Sequence, residues 1–297
     1  MIAVREQVKM GLLVCPQTKT RLTWDGAGLM SEAGRKYRIT EHGTPILLSN
    51  PDSAEQYAAS SPQMLKEYSN GHFWCWDKIV PSLRSWIRKD YRTHASQRAV
   101  DEVLKCGQGD RMCLSIGGGP MRVSPDVTNL NIGNFRNVDV IGDALLLPYA
   151  DSSVDSIYCE AVLEHLTDPT VAVSEMFRVL KPEGKVVAIT PFLQRFHGYP
   201  SHFQNFTLFG HSLLFSRAGF RLLESGTCGG PTYTIVNLVS AYFLRCLPRV
   251  VGLPLAAAWN IAGIAILPLD RLIGPTDVSH LLASTTYVLA EKPTATS

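Results

Sequence analysis

The fold of this chain is decided at residues 111–119, where the sequence RMCLSIGGG joins an apolar run to three glycines. A short apolar run predicts a buried strand, and the glycines predict a tight turn after it. Further apolar runs that predict strands lie at 127–132, 138–141, 154–158, 185–190 and 220–225.

Helix signals separate the later strands. Asp168 followed by Pro169 predicts a helix start, and Pro182 with Gly184 predicts its end. A second helix is expected over 208–218. Strands that alternate with helices predict a mostly parallel sheet covered on both faces, with ligands bound at the carboxyl ends of its strands.

The composition excludes several classes of protein. Of 297 residues, 45% are hydrophobic and 18% are charged, so the chain has enough apolar material for a full core. The net charge of +2 argues against nucleic-acid binding, which needs clustered positive charge. Seven irregularly spaced cysteines and no signal-peptide pattern indicate reduced thiols in a cytoplasmic protein.

Four motifs in this region occur in a fixed order. The glycine turn is followed by Asp143-Ala144, then by AVLEHL at 161–166, then by RVLKPEG at 178–184. Together they resemble class I S-adenosylmethionine-dependent methyltransferases over about residues 110–228. The resemblance implies a Rossmann-like sheet and S-adenosylmethionine as the cofactor.

The resemblance also implies a set of cofactor-binding residues. The glycines should let the backbone approach the methionine part of the cofactor. Asn131 stands where the family usually has an acidic residue that binds the ribose, and Ser115 stands where it usually has Asp or Glu. The implied residues are Gly117, Gly118, Gly119, Asn131, Ile132, Asp143, Ala144, Glu160, Ala161 and His165.

The acceptor is expected near the loop HGYPSHF, residues 197–203, which follows the fifth strand. His197 or His202 could remove a proton as general base, and Tyr199 could orient the acceptor. The competing interpretation is that these side chains only form hydrogen bonds within the loop, because many methyltransferases act mainly by positioning.

The N-terminal residues form a separate pattern. LLVCPQTKTRL at 12–22 and YRITEHGTPILL at 37–48 look like a Trm112-type β module. A zinc version needs four ligands, and this segment offers only Cys15, so we expect no metal. The connection 120–127 is too short for a usual crossover helix. The first helix should therefore be reduced, and helices from 51–105 should cover that face.

The C-terminal third contains an apolar stretch at 250–269, interrupted by Pro254 and Pro268. It could be a helical pair covering the sheet, a surface for an apolar acceptor, or a membrane-contacting hairpin. We favour packing or acceptor binding. The predicted organisation is a β module at 1–50, a helical lid at 51–105, the Rossmann-like core at 106–230, a helical insertion at 231–283 and a final strand at 284–297.

The sequence favours a methyltransferase acting on an oxygen or nitrogen of a small but bulky, partly apolar acceptor. Two alternatives stay open: a methyltransferase-fold protein with non-methylating chemistry such as cyclisation, and a non-catalytic partner of another methyltransferase. The expected partner is a small molecule rather than nucleic acid, with peripheral membrane contact as the minority interpretation. The sequence leaves the oligomeric state open.

Overall fold

The computed structural model describes residues 1–50, 92–106, 109–119, 122–197, 201–274 and 276–294. Residues 51–91 of the predicted helical lid and the candidate Tyr199 lie outside the described residues. Strands and helices are numbered here along the described residues only.

The strands are short in the N-terminal region and longer in the second half of the chain. They are β1 Leu22–Trp24, β2 Leu29–Ser31, β3 Lys36–Tyr37, β4 Ile46–Leu47, β5 Cys113–Ile116, β6 Thr128–Asn131, β7 Val140–Gly142, β8 Val154–Glu160, β9 Leu180–Pro191, β10 Arg221–Gly229 and β11 Thr285–Glu291. The helices are α1 Val4–Lys9, α2 His94–Cys106, α3 Pro169–Val179, α4 Leu208–Arg217, α5 Pro231–Cys246, α6 Arg249–Ile266 and α7 Asp270–Ile273.

The main sheet has eight strands in the order β10-β11-β9-β8-β5-β6-β7-β4. The pairs from β9 to β4 are parallel, while β11 runs antiparallel to both β9 and β10. The carboxyl ends of β5 to β9 therefore meet at one edge of the sheet, together with the end of β10. This confirms the predicted Rossmann-like α/β fold.

The connections beside β6 are short, as the sequence predicts for the first of them. Within the described residues, neither 117–127 nor 132–139 contains a helix. Arg122 ties the two connections together, because its guanidinium donates to both oxygens of Asp139 at 2.8 Å. The predicted reduction of the first helix thus extends to the second connection as well.

Helix α2 covers part of one sheet face, as expected for a helix from 51–105. Its side chains Val100 and Val103 are buried in one cluster with Tyr158, Val187 and residues of β11. On the opposite face, α3 buries Val173 and Met176 against the sheet, and Asp168 caps its first turn by accepting from Thr170 N.

Residues 1–50 share the core of the main sheet rather than forming a core of their own. Leu13, Cys15 and Tyr37 are buried in the same cluster as Leu114 and Leu130 of the central strands. Strand β4 pairs in parallel with β7 and adds an eighth strand to the sheet. The three-stranded sheet β1-β2-β3 is antiparallel, so the predicted small β module is present. Its resemblance to the Trm112 type stays a prediction.

The insertion after β10 is a hairpin of α5 and α6, which we call the apolar hairpin (residues 231–266). The two helices pack against each other, with Trp259 Nε1 donating to Val236 O at 3.0 Å. We expected the insertion to fold back over the sheet and hide its apolar side chains. Instead, Val250 is 84% exposed and Ile261 is 57% exposed, because α6 turns its small residues toward α5.

Candidate functional site

The glycine turn after β5 needs glycine for reasons internal to the chain. Gly117 and Gly119 have φ of 74° and 57°, in the left-handed region that side chains disfavour. A β-carbon on Gly117 would lie 2.2 Å from Val162 Cγ2, and one on Gly118 would lie 2.2 Å from Asn129 Oδ1. The family resemblance implies that these glycines let the backbone approach a cofactor. The structure adds packing against β6 and against the residues that follow β8.

Polar side chains at the ends of β6 and β7 shape their own loops. Asn131 Oδ1 accepts from Gly133 N at 2.8 Å, and Asp143 Oδ1 accepts from Leu145 N at 2.9 Å. Ala144 beside Asp143 is buried, and Ile132 packs against the small cluster around Phe135. The candidates on β6 and β7 therefore lie at the predicted edge of the sheet, with one oxygen of each polar side chain already bonded.

The carboxylate of Glu160, at the end of β8, is bound by protein groups. Arg92 Nη2 lies 2.7 and 2.6 Å from its two oxygens, and the Tyr158 hydroxyl donates a short hydrogen bond to it. Burial raises the pKa of Tyr158, which keeps this hydroxyl protonated. Glu160 is thus fixed by an ion pair. Ala161, which follows it, is exposed with a φ of 54°.

A cluster of one carboxylate and two imidazoles lies at the same edge of the sheet. Glu164 and His165 belong to a short helical turn, Leu163–His165, directly after Val162, and His197 comes from the loop after β9. Glu164 Oε1 is 3.7 Å from the Nε2 atom of each histidine. The Glu164 side chain is fully buried, and its Oε1 has no hydrogen-bond partner. Because Val162 contacts Gly117, the cluster adjoins the glycine turn.

Backbone carbonyls set the orientation of both rings. His165 Nδ1 lies within hydrogen-bond distance of Ser201 O, and His197 Nδ1 lies 3.1 Å from Arg195 O. A carbonyl can only accept, so each Nδ1 carries the proton and each neutral ring turns an unprotonated Nε2 toward Glu164.

The two imidazoles differ in basicity. The Glu164 carboxylate raises the pKa of His197, mainly through its interaction with the ring, while burial lowers the pKa of His165. Of the two rings, His197 is therefore the one prepared to hold an extra proton.

His202 supports this cluster instead of offering a nitrogen to it. Its Nδ1 accepts from the backbone N–H of His197 at 3.2 Å, and its Nε2 lies 2.6 Å from Asn205 Oδ1. Both ring nitrogens of His202 are therefore engaged. Of the two candidate histidines in the loop, only His197 turns an Nε2 lone pair toward Glu164, while His202 holds the His197 backbone in place.

Glu164 is the functional candidate that sequence reasoning missed. It is fully buried, its Oε2 accepts from Thr190 Oγ1 at 3.3 Å, and it lies in the quoted AVLEHL motif directly before His165. Full burial of a carboxylate is costly unless charged or polar groups compensate for it. The signal in the sequence was an acidic residue, followed by a histidine, between the two leucines of an otherwise apolar motif.

The edge residues fit S-adenosylmethionine in part. The glycine turn, Asn131 and Asp143 stand on three adjacent strands, and the left-handed Gly117 leaves no room for a side chain. The donor atoms of Glu164, His165 and His197 lie within 4.8 Å of one another, which is a set that could share a proton or hold a metal ion. The earlier expectation of no metal rested on the N-terminal module, not on this cluster.

Comparison with known proteins places a methyltransferase-type domain in the middle of the chain. Residues 121–188 match the family described as Methyltransferase domain. Demethylmenaquinone methyltransferase of Renibacterium salmoninarum is 32% identical over 94 residues, covering 31% of this chain and 40% of the relative. The Staphylococcus aureus enzyme of the same name is 32% identical over 120 residues, covering 36% and 48%. The chain thus spans less than half the length of these curated relatives.

Solved structures give more distant similarity. The cyclase SpnF is 19% identical with a TM-score of 0.41, covering 68% of this chain and 82% of that one. Phosphoethanolamine N-methyltransferase 2 of Haemonchus contortus is 16% identical with a TM-score of 0.39, covering 67% and 53%. At these values the likeness supports no statement about chemistry.

Proposed function

We infer that the protein transfers a methyl group from S-adenosylmethionine to an oxygen or nitrogen of a bulky, partly apolar acceptor. The observation that supports this most is the Glu164–His165–His197 cluster beside the glycine turn, in a chain whose middle matches a methyltransferase domain. When bound, S-adenosylmethionine would supply an electrophilic methyl group. Gly117, Gly119, Asn131 and Asp143 would hold it.

The chain's own part in the reaction is to orient the acceptor and take its proton. His197 Nε2 is the proton acceptor, because its Nδ1 is fixed on Arg195 O and its pKa is raised by Glu164. Glu164 stabilises the resulting imidazolium from 3.7 Å away. Burial lowers the pKa of His165, so this second ring stays neutral beside the same carboxylate oxygen.

An apolar acceptor suits the surroundings of this cluster. Phe196, next to His197, is 72% exposed, and Phe203 is exposed in the same loop. The curated relatives are named for demethylmenaquinone, which supports an apolar acceptor but not a particular acceptor atom. Cytoplasmic localisation is part of the same proposal.

The first test is binding of S-adenosylhomocysteine, measured by calorimetry. Gly117→Val should abolish binding, since it adds a side chain at φ of 74° and displaces Val162. Asn131→Asp should strengthen binding about fivefold. One carboxylate oxygen would keep the bond to Gly133 N. The other would take the place of the amide NH₂ group and accept hydrogen bonds from the ribose hydroxyls. Unchanged affinity in both variants would remove the cofactor assignment.

The second test separates the proposed chemistry from its alternatives. A non-catalytic partner would not release S-adenosylhomocysteine with any acceptor, and a cyclase would convert its substrate without releasing it. Glu164→Gln should lower turnover and move the acidic limb of the pH profile to lower pH, because the carboxylate no longer raises the pKa of His197. Activity should survive chelators. Loss of activity on chelation, with about one metal ion per chain in elemental analysis, would assign the cluster to a metal instead.

A further inference from the structure

We propose that the apolar hairpin docks the protein on the surface of an anionic phospholipid bilayer, with its outer side chains in the boundary between headgroups and acyl chains. The proposal concerns the contact with lipid and does not depend on methyl transfer. It follows from how the hairpin packs, from its charge and from where it joins the sheet.

The packing of the hairpin is inverted relative to a helix pair in water. The α6 residues that face α5 are small or polar, and Asn260 Nδ2 donates to Ser240 Oγ at 3.2 Å. Gly252 and Gly263 approach α5 so closely that a β-carbon would lie 2.0 Å from Phe243 O and 2.9 Å from Val236 Cγ1. Val236 is buried against Gly263, but many of the large aliphatic side chains point outward, and Ile235, Leu238, Val250, Leu253, Leu255 and Ile261 are among those exposed.

An exposed apolar surface of this extent needs a partner. By length and composition, Arg249–Ile273 is the one helical segment in the described part of the chain that is apolar enough to cross a bilayer, and only 17% of its most apolar window is buried. Both ends of the hairpin return to the sheet, since α5 follows β10 and β11 follows the insertion. These connections favour a hairpin that lies in the interface over one that spans the bilayer.

Charge identifies lipid as the occupant. Residues 231–269 contain no Asp, Glu, Lys or His, and their only charged side chains are Arg245 and Arg249, both exposed at the hairpin tip. Anionic headgroups complement this tip. A second copy of the chain would bring the same basic tip and no opposite charge.

The hairpin joins the sheet at the edge that carries the functional cluster, because α5 begins directly after the end of β10. Asp270 accepts from Thr232 N and Tyr233 N at 2.8 Å each and so caps the start of α5. Just after the insertion, Ser284 O accepts from Phe192 N at 2.8 Å, and Phe192 begins the loop that carries His197. If the proposed methyl transfer is correct, the bilayer therefore lies next to the acceptor region and can deliver a lipid-soluble acceptor.

Binding of the full chain to phospholipid vesicles, measured by co-sedimentation, tests the proposal. The vesicles are pure phosphatidylcholine, or phosphatidylcholine with about one third phosphatidylglycerol. We expect binding to the anionic vesicles that weakens with salt. The double variant Val250→Ser with Leu253→Ser should weaken it at least tenfold, whereas Val171→Ser, an exposed apolar position on α3, should not change it.

Arginine variants test the charge argument separately. Arg245→Gln with Arg249→Gln should remove most of the preference for anionic over neutral vesicles, and Arg217→Gln at the end of α4 should retain it. Glu164→Gln should bind vesicles like the unchanged protein even if it transfers no methyl group, so failure of the proposed reaction and failure of docking are distinguishable.

Three results would overturn the proposal. One is the absence of vesicle binding, and another is binding that the serine variants leave unchanged. The third is a soluble dimer, seen by ultracentrifugation, that the serine variants dissociate. The exposed Cys246 at the tip distinguishes docking from spanning. A membrane-impermeant maleimide added outside the vesicles should label it, with the modified peptide identified by mass spectrometry, whereas protection of this thiol would indicate a spanning hairpin.

Discussion

Helices α3 and α6 both carry large apolar side chains, but they arrange them in opposite ways. In α3, Val173 and Met176 are fully buried against the sheet, while Thr170 and Ser174 face outward. In α6, Gly252 and Gly263 face inward, and large side chains such as Val250 face outward. A water-soluble helix buries its large apolar residues because this removes the most apolar surface from water. The inversion in α6 indicates that its outer face is adapted to something other than water.

The largest expected effect contrasts the two helices directly. Met176→Ala should lower the free energy of unfolding by about 2–5 kcal/mol, because it leaves a cavity in the fully buried core. Val250→Ala should change it by no more than about 0.5 kcal/mol, since that side chain is exposed. Urea unfolding followed by circular dichroism measures both values. Similar losses in the two variants would mean that the outer face of α6 is covered within the protein.

A smaller effect is expected from enlarging the inner face of the hairpin. Gly252→Leu should destabilise α5 and α6 by about 1–3 kcal/mol, because the new side chain meets the backbone oxygen of Phe243. Hydrogen exchange measured by mass spectrometry should show faster exchange in 231–266 with little change in α3. Ala258→Val, on the exposed side of the same helix, is the control. Faster exchange in the control, or none in the glycine variant, would contradict the packing described here.

The two regions should also respond differently to pH. Burial lowers the pKa of His211 to about 3, whereas the ordinary value near 6.5 applies in the unfolded chain. Between these values the unfolded state binds more protons, so acidification below pH 6.5 should lower the stability of the core, by up to about 1.4 kcal/mol per pH unit. His211→Gln should reduce this slope in unfolding measured from pH 7 to 5.

The hairpin lacks such a group, because residues 231–269 contain no carboxylate and no histidine. Its affinity for vesicles should therefore stay constant over the pH range in which the core remains folded. For the core, a loss of stability with falling pH that persists in the His211→Gln variant would assign the acid sensitivity to other groups.

The parts of the fold that the sequence predicted are those with a local signal. The strand before the glycine turn, the helix capped by Asp168 and the final strand all carry their signal within a few residues. Strand β4 joins the main sheet by pairing Ile46 with Ile141 and Leu47 with Gly142, almost a hundred residues away, and nothing local indicates that contact.

The sequence also predicted the candidate site only in part. The motifs placed Gly117, Asp143 and His197 at one edge of the sheet, because parallel strands bring their carboxyl ends together. They did not show that Glu160 is bound by Arg92, or that Glu164 lies between two histidines. Both facts depend on side-chain directions and on loop paths, which the order of motifs does not determine.

The smallest expected effect concerns the polar contact inside the hairpin. Asn260 is buried in an apolar helix pair and donates to Ser240 Oγ, while its own Oδ1 has no partner. One hydrogen bond of this kind contributes about 0.5–1.5 kcal/mol, and the unpaired oxygen offsets part of that gain. A double-mutant cycle of Ser240→Ala and Asn260→Ala should therefore give a coupling free energy of about 0.5–1 kcal/mol, measured by hydrogen exchange of 231–266. Zero coupling would mean that the small residues alone hold α5 and α6 in register.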